Sequence, residues 1–213
     1  MGGQTEKFTE RQKEILTEAL RILAEEGSRA LTMKRVAQGI GFTEAAVYRH
    51  FESKRAMLSA LYAFVRQSLL ETLSPILARD VPPPERLALF LEQTVLFLLE
   101  NKGVNLVLLA ESIQQKDVVL REAMWRIFSE FKALVEALLR IGMSTGDFRG
   151  DLDPDAVATC IAGSIQGMLT RYILAGSNAS AFDPLKARPA LVSFVLNAVG
   201  SPDASRNGLS NEK

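Results

Sequence analysis

The chain contains a single cysteine, Cys160, and a single histidine, His50, among its 213 residues. One cysteine cannot form an internal disulfide, and it does not supply the cysteine clusters that bind zinc. Neither a cysteine nor a carboxylate lies at ligand spacing beside His50, so no metal and no cofactor are expected. The sequence also shows no Ser-His-Asp or Cys-His set, no paired catalytic acids and no phosphate-binding loop. A helical enzyme is therefore the least favoured class of protein.

Long apolar segments are absent as well. The first residues, MGGQTEKF, lack the apolar stretch of a signal peptide, and no apolar run approaches the roughly 20 residues that cross a bilayer. Lysine plus arginine number 25 and aspartate plus glutamate number 25, which excludes a uniformly basic coat for nucleic acid. With 47% hydrophobic residues the chain can bury a sizeable core. These features predict a soluble protein of one or two domains in a reducing cytoplasm, with no membrane association.

Alternation of β-branched and polar residues is also missing, and nearly the whole chain reads as helix, which predicts an all-α fold. Thr9 and Gln12 have the spacing of a capping box, and Gly27 ends the first helix. Thr32, Thr43 and Ser53 stand at capping positions before the next three. The predicted helices run from Thr9 to Gly27 and over 33–39, 44–50, 54–78, 85–101, 104–115, 117–143, 154–175 and 184–199.

The run Val81-Pro82-Pro83-Pro84 is predicted to be non-helical and is the clearest break in the chain. The hinge is predicted to lie near it, between a helix-turn-helix DNA-binding domain, residues 1–58, and a helical effector-binding and dimerisation domain, residues 79–200. Residues 59–78 form the helix that connects the two. The polar tail, residues 201–213, is predicted to be disordered.

Residues 32–58 read TMKRVAQGIGFTEAAVYRHFESKRAML, an arrangement typical of a helix-turn-helix that docks on DNA. Ala37 supplies the small residue needed where the two helices meet, and Gly41 tolerates the positive φ that the turn requires. Val47, six residues later, ties the second helix to the core. Tyr48 and Lys54 follow and can each reach a phosphate. Many helical hairpins share the spacing alone, but this aromatic and basic context strengthens the prediction.

Charge is unevenly distributed along the neutral chain. From Ser28 to Leu58 there are six basic and two acidic residues, a net charge of +4, so the remainder carries −4. A basic surface on a neutral body is typical of a DNA-reading domain joined to a domain with another task. Chance clustering on a solvated face is equally compatible with the charges. The residues are Arg29, Lys34, Arg35, Arg49, Lys54 and Arg55 against Glu44 and Glu52.

Features of a known family run in order from Arg11 to Tyr62: an opening helix ending in EEG, Thr32, Val36-Ala37, Gly41-Phe42-Thr43, Val47-Tyr48, His50-Phe51, Ser53-Lys54 and Leu58. This combination resembles the N-terminal domain of TetR-type transcriptional regulators. The C-terminal part resembles the family in its helical layout and in the segment GDFRGDLDPDAVA. The resemblance implies a dimer that binds double-stranded DNA and holds an effector among its middle helices.

The resemblance also suggests which side chains touch DNA. Arg49 could pair with a guanine or with a phosphate, and Glu44 costs affinity unless it accepts from a cytosine amine. His50 could instead be a partly packed structural residue, and Lys34 and Arg35 could be merely solvated. Phosphate contacts are implied for Thr43, Tyr48, His50 and Lys54. Positions at or near base edges are implied for Glu44, Ala45, Ala46 and Arg49. Further contacts to DNA are predicted for Thr32, Lys34 and Arg35.

The last helix carries two apolar stripes, whereas a surface helix needs only one. Gly163 and Gly167, four residues apart on the preceding helix, permit close helix approach. The two helices therefore predict a four-helix homodimer interface, although burial within one chain is an alternative. The interface candidates are Cys160, Gly163, Ser164, Gly167, Leu191, Phe194, Val195 and Ala198.

The middle helices are rich in phenylalanine and methionine, most of which an ordinary core would use. Few charges lie among the apolar positions, which favours a largely hydrophobic small-molecule effector. Glu111 is predicted to face solvent beside Gln114. The candidate pocket residues are Phe90, Gln93, Phe97, Leu109, Ile113, Met124, Phe128, Phe131, Met168, Arg171 and Tyr172.

The favoured function is a ligand-responsive repressor that is released from a palindromic operator. Effector binding would move the helix predicted over 54–78 and change the separation of the two reading heads, provided that the ligand prefers the DNA-free state. The alternative is an architectural DNA-binding protein that has no effector.

Overall fold

The computed structural model describes residues 7–114, 116–176 and 182–202, and these residues form nine α-helices and one 3-10 helix, Ser74–Ala78. One isolated β-bridge, between Phe148 and Gly200, is the only β-structure in those ranges. The predicted all-α fold is confirmed. The helices are α1 (Glu10–Glu26), α2 (Met33–Gly39), α3 (Glu44–Tyr48), α4 (Lys54–Leu73), α5 (Pro83–Glu100), α6 (Val104–Gln114), α7 (Val118–Thr145), α8 (Pro154–Ala175) and α9 (Pro184–Val199).

Capping explains where the N-terminal helices begin. At α1 the Thr9 hydroxyl accepts from the Gln12 amide at 3.2 Å, and the Gln12 side chain accepts from the Thr9 amide at 3.0 Å. This is the predicted capping box, in which two donors that lack intrahelical partners satisfy each other. Thr32 and Thr43 cap α2 and α3, since each hydroxyl oxygen accepts from the amide of the third residue of its helix.

Two boundaries differ from the sequence prediction because of proline. The helix predicted over 54–78 changes to 3-10 geometry at Ser74, since Pro75 has no amide hydrogen to continue the α-helical ladder. The prediction that residues 81–84 are all non-helical is wrong, because Pro83 and Pro84 lie in the first turn of α5. A first-turn residue needs no intrahelical amide bond, and proline already has a helical φ. The tail predicted to be disordered comprises residues 201–213, and from position 203 onward it lies outside the described residues.

The described chain divides into two compact units, one from residues 7–71 and 98–128 and the other from 72–97 and 129–202. These units do not coincide with the predicted ranges 1–58 and 79–200, because α6 and the start of α7 pack with the N-terminal helices. Three polar contacts hold them there. The Tyr62 hydroxyl donates to the Leu108 carbonyl at 2.6 Å, Lys102 pairs with Glu25, and Arg55 pairs with Asp117 at 2.6 Å. No described helix has the length and apolarity needed to cross a bilayer.

Each unit has its own apolar core. In the first unit the buried residues of α1 share one stripe, Ile15, Leu16, Ala19, Ile22 and Leu23. In the second unit, the loop between α7 and α8 is tied to the end of α9, since the Arg149 amide donates to the Val199 carbonyl at 2.9 Å. Phe148 fills the space left by the absent side chain of Gly142, where a Cβ atom would lie 2.1 Å from the ring.

Gly41 holds the turn between α2 and α3 in the left-handed region, with φ of 70°. No heavy atom lies within 4 Å of a Cβ added there, so the expected effect of a substitution is backbone strain without a clash. We expect Gly41→Ala to lower the free energy of unfolding by about 1–2 kcal/mol, and Gly41→Asn to lower it less because asparagine tolerates this region. Chemical denaturation of the three proteins measures the difference. Equal stability of the alanine and glycine forms would contradict this account.

Candidate nucleic-acid interface

The helix-turn-helix presents the second of its helices on a buried support. Val36, Ala37 and Val47 are at most 2% exposed and fasten α2 and α3 to the core. The Phe42 amide donates to the Ala37 carbonyl at 2.8 Å, which closes the turn. The apolar positions read from the spacing of the sequence are therefore the ones that hold α3 in place.

The outer side of α3 and the residue that follows it are open to solvent. Thr43, Glu44, Ala45 and Arg49 are exposed, Ala46 is half-buried, and 47% of Tyr48 is accessible. Arg49 forms no ion pair among the described residues, so its guanidinium is available to a base or a phosphate. The side chains of α3 and Arg49 that are predicted to meet DNA are thus accessible, with Ala46 partly so.

The threonines at the helix starts have a structural task as well. The Thr43 hydroxyl oxygen accepts from the Ala46 amide at 3.2 Å, and the Thr32 oxygen accepts from the Arg35 amide at 3.1 Å. Each hydroxyl keeps its own hydrogen, which can be donated to a phosphate oxygen. The capping role and the predicted phosphate contact are compatible at both positions.

Lys54 and His50 lie less open than the α3 residues. The Lys54 ammonium donates to the Ser28 carbonyl at 3.3 Å and is half-buried, which fixes its direction and leaves two further hydrogens. His50 is also half-buried, in keeping with either a phosphate contact or a packed structural role. His50 lies two residues after the end of α3, and Lys54 is the first residue of α4.

Arg35 differs from the other predicted cations. Its guanidinium binds Glu26 through two hydrogen bonds, of 3.1 and 2.6 Å, and Glu26 also lies 3.5 Å from Arg21. An arginine held in this way ties α2 to the end of α1, and its charge is largely compensated. Lys34, by contrast, is exposed and forms no ion pair in the described ranges. Of the two, Lys34 has the freer charge for DNA.

Two arginines near this surface were not predicted as functional. The Arg11 guanidinium lies 5.1 Å from the centre of the Phe42 ring, so α1 reaches the turn of the motif. Arg55 pairs with Asp117, which lies 62 positions later, and this pair lowers the pKa of the Asp117 carboxyl. Nothing in the sequence spacing could have indicated either partner, because both contacts depend on tertiary packing.

The predicted pocket residues belong to both compact units. Leu109, Ile113, Met124 and Phe128 lie in the first, and the second contains Phe90, Gln93, Phe97, Phe131, Met168, Arg171 and Tyr172. Within the second unit the buried rings of Phe90 and Phe131 are 5.6 Å apart.

Three of these residues do not face inward, which corrects the prediction. Ile113 is 64% exposed because it lies opposite the buried stripe of α6. Gln93 is exposed because it falls outside the buried stripe of α5. Arg171 is exposed, with its guanidinium 4.4 Å from the centre of the Phe182 ring.

Glu111 is buried, and the prediction that it faces solvent is wrong. It shares a face of α6 with Val104 and Leu108, at the spacing of four and then three residues that places side chains on one side of a helix. Only 6% of Glu111 is accessible. Burial, and to a lesser degree the charge of Glu111, raises the pKa of the Tyr62 hydroxyl, which therefore stays a donor to Leu108.

The predicted dimer face is open in the single chain except at one position. Phe194 is 64% exposed and Ala198 is exposed on α9, while Cys160, Gly163 and Gly167 are exposed on α8. The remaining candidates are Ser164 and Leu191, both half-buried, and Val195.

Val195 does not belong to that face, which corrects the prediction. It is only 2% exposed, because it lies on the side of α9 that packs into the core of its own unit with Val199.

Two family models match the chain. The model described as bacterial regulatory proteins of the tetR family covers residues 15–61, and the tetracyclin repressor-like C-terminal domain covers residues 104–183. Among curated proteins, the nucleoid occlusion factor SlmA of Vibrio atlanticus is 27% identical over 164 residues, which are 76% of this chain and 84% of that protein.

Solved structures agree with the described fold. A transcriptional regulator of Saccharomonospora viridis in complex with choline is 22% identical, with a TM-score of 0.78, over 90% of this chain and 98% of that one. The regulator FadR of Bacillus subtilis in complex with stearoyl-CoA is 19% identical, with a TM-score of 0.73, over 86% of this chain and 97% of that one. At these identities the likeness establishes the fold alone.

Proposed function

Because the chain belongs to the TetR family of DNA-binding regulators, which are not enzymes, we propose that it is a repressor released from a palindromic operator by a small hydrophobic effector. The observation that carries the proposal is the accessible surface of α3, where Tyr48 and Arg49 project from a buried support. Arg49 reads a base edge, while Tyr48 and Lys54 hold the flanking phosphates.

The operator is a near-palindrome because the regulator binds it as a two-fold dimer. Support comes from the family, whose members are dimeric, and from the exposed small residues of α8 beside the exposed Phe194 of α9. Two reading heads related by a two-fold axis require half-sites about 34–36 Å apart on one face of DNA. With two alanines at the centre of each reading helix, one head selects weakly and the pair supplies the specificity.

The experiment is a binding titration of the purified protein with DNA from the region beside its own gene. Fluorescence anisotropy should give saturable binding to one palindromic segment, with affinity that falls steeply as salt concentration rises. A scrambled duplex of equal length and composition is the control, and it should bind far more weakly. Equal binding to both duplexes at every salt concentration would sink the repressor proposal.

The hydrophobic class of the effector rests on the apolar middle helices, to which Phe90, Phe97 and Phe131 contribute buried rings. The ligands of two proteins with this fold, stearoyl-CoA and choline, provide contrasting probes. If the effector is hydrophobic, stearoyl-CoA lowers operator affinity and choline does not. The opposite result would replace the hydrophobic class of effector by a cationic one.

The route from effector to DNA runs through α6. Within the first unit α6 and the turns at its ends are attached to α1 by Lys102 and Glu25, and to α4 by the hydrogen bond from Tyr62 to Leu108 and the pair of Arg55 with Asp117. A ligand that shifts α6 therefore pulls directly on α4, whose first residue, Lys54, lies at the DNA surface. Such a ligand changes the affinity for DNA only if it binds one position of α6 more tightly than another.

Tyr62→Phe tests this attachment without any effector. The substitution keeps the packed ring and removes the hydroxyl that donates to Leu108 at 2.6 Å. We expect the free energy of unfolding to fall by about 1 kcal/mol and amide hydrogen exchange in α6 to accelerate. Tyr172→Phe, which removes a hydroxyl from half-buried Tyr172 on α8, is the matched control and should leave α6 unchanged. Unaltered exchange in α6 of the Tyr62 variant would contradict the proposed route.

A second function, an architectural DNA-binding role without an effector, is favoured by the similarity to nucleoid occlusion factors. The two functions predict different occupancy of the chromosome. Chromatin immunoprecipitation should recover a few promoter-proximal sites for a repressor and many dispersed sites for an architectural protein. An effector that releases the dispersed sites as well would rule out the effector-free alternative.

A further inference from the structure

The first half of α7 exposes large apolar side chains that the proposed function does not use. Trp125 is the most accessible, with 68% of its surface open, and Val118 and Val119 are 53% and 47% exposed. Ile113, at the end of α6, is 64% exposed. Single exposed apolar residues are ordinary on a protein surface, whereas a contiguous group marks a binding site.

Helix geometry brings the α7 residues together. At 3.6 residues per turn, Val118, Glu122 and Trp125 lie on one side of the helix, opposite the buried Leu120 and Ile127. Trp125 is also held from within its own helix, because its ring centre lies 6.2 Å from that of Phe128. A tryptophan placed in this way can bury a large area on a partner at little entropic cost.

Basic residues border this apolar group. Arg121 and Arg126 are exposed on either side of the line from Val118 to Trp125, and Lys116 is exposed in the turn before the helix. None of the three forms an ion pair within residues 7–114, 116–176 and 182–202. Glu122 is the only acidic residue from 116 to 126 other than Asp117, which is paired with Arg55. The surface therefore combines apolar side chains with a net positive charge, that of Lys116, Arg121 and Arg126 against Glu122.

We propose that Val118, Val119, Arg121, Trp125 and Arg126, the Trp125 face, are a docking surface for an acidic segment of a partner protein that carries apolar side chains. Charge complementarity selects the partner, and Trp125 supplies the buried anchor. A second copy of this chain is disfavoured because two positively charged faces would meet. Glu122 lies between the two arginines, so the acidic groups of a partner must lie beside Arg121 and Arg126 and away from Glu122. A protein segment can place its carboxylates in this way, whereas a uniformly anionic lipid surface would also face Glu122.

The test uses the full-length chain and a phage-displayed library of random peptides. The selected peptides should carry both acidic and apolar side chains, and they should not bind the Trp125→Ala protein. Trp125 is the only tryptophan of the chain, so a tryptophan-free synthetic peptide that covers it should shift the intrinsic emission to shorter wavelength. Replacing Arg121 and Arg126 together by glutamate should weaken that peptide about tenfold or more, since like charges then face each other.

Arg121→Glu and Arg126→Glu made singly should each weaken the peptide in part. Arg79→Glu, which makes the same charge change as either single variant at an exposed arginine outside the Trp125 face, is their control and should leave peptide affinity unchanged. Thermal unfolding of each variant checks that the fold survives. Four results overturn the proposal: no peptide that depends on Trp125, selected peptides that are basic, an emission shift with phosphatidylglycerol vesicles alone, or weaker self-association of Trp125→Ala.

Discussion

Arg49→Ala is expected to reduce operator affinity at least about 30-fold, because a bidentate contact to guanine contributes about 1–3 kcal/mol and each dimer makes it twice. The physical basis is the position of Arg49 directly after α3. Its side chain is exposed and unpaired within the described residues, while Ala45 and Ala46, which are also predicted to lie near base edges, offer no side-chain hydrogen-bond donor. Without the Arg49 side chain, Glu44 is the only charged residue in positions 43–49, and its charge opposes the phosphates.

Two DNA targets separate base reading from phosphate binding at Arg49. If Arg49 reads a base, the variant loses affinity for the operator and keeps its weak affinity for a scrambled duplex. If Arg49 binds a phosphate, both affinities fall together, and the base-reading assignment is wrong. Tyr48→Phe gives the comparison, because loss of a phosphate-binding hydroxyl should weaken both duplexes to a similar extent. Fluorescence anisotropy at several salt concentrations measures the affinities of the unsubstituted protein and of both variants for each duplex.

The helix-turn-helix could be predicted from sequence because its determinants are local. A capping threonine, a glycine with positive φ and apolar positions at fixed spacing act within a few residues of one another. Thr32, Gly41 and Val47 accordingly have the structural roles that the sequence predicted. The DNA contacts themselves stay a prediction, since burial and pairing describe only which side chains are available.

The middle of the chain was harder to predict because its determinants are not local. The buried stripe of α6 has a carboxylate at one of its positions, Glu111, which the prediction had assigned to solvent because helical spacing places it beside Gln114. Its burial, and the hydrogen bond between Tyr62 and Leu108, depend on which helix packs against α6. Periodicity places a residue on a face of a helix, but the partner of that face is decided by tertiary packing. The same limit applies to Arg35, whose charge is compensated by Glu26 of another helix.

The dimer face of α8 and α9 was predicted from the sequence because the last helix has more apolar residues than a surface helix needs. The second stripe of α9 was predicted to need a partner, and Phe194 is indeed left 64% exposed by its own chain. Val195, one residue later, turns inward and is covered by its own unit. We therefore expect an interface between subunits to use the side of α9 that bears Phe194 and Ala198, together with the exposed glycines of α8.

Phe194→Glu is expected to raise the dissociation constant of the homodimer about 100-fold or more, because an aromatic anchor at a two-fold interface is lost twice and two carboxylates approach each other. Operator affinity should fall with it, since a monomer reads only one half-site. Leu185→Glu is the matched control: Leu185 is also an exposed apolar residue of α9, at 49%, but nine positions place it on the opposite side of the helix. Sedimentation of both variants over a range of concentrations measures the dimer. If the Leu185 variant dissociates while the Phe194 variant stays dimeric, the interface lies on the other side of α9. If both variants stay dimeric, α9 does not belong to the interface.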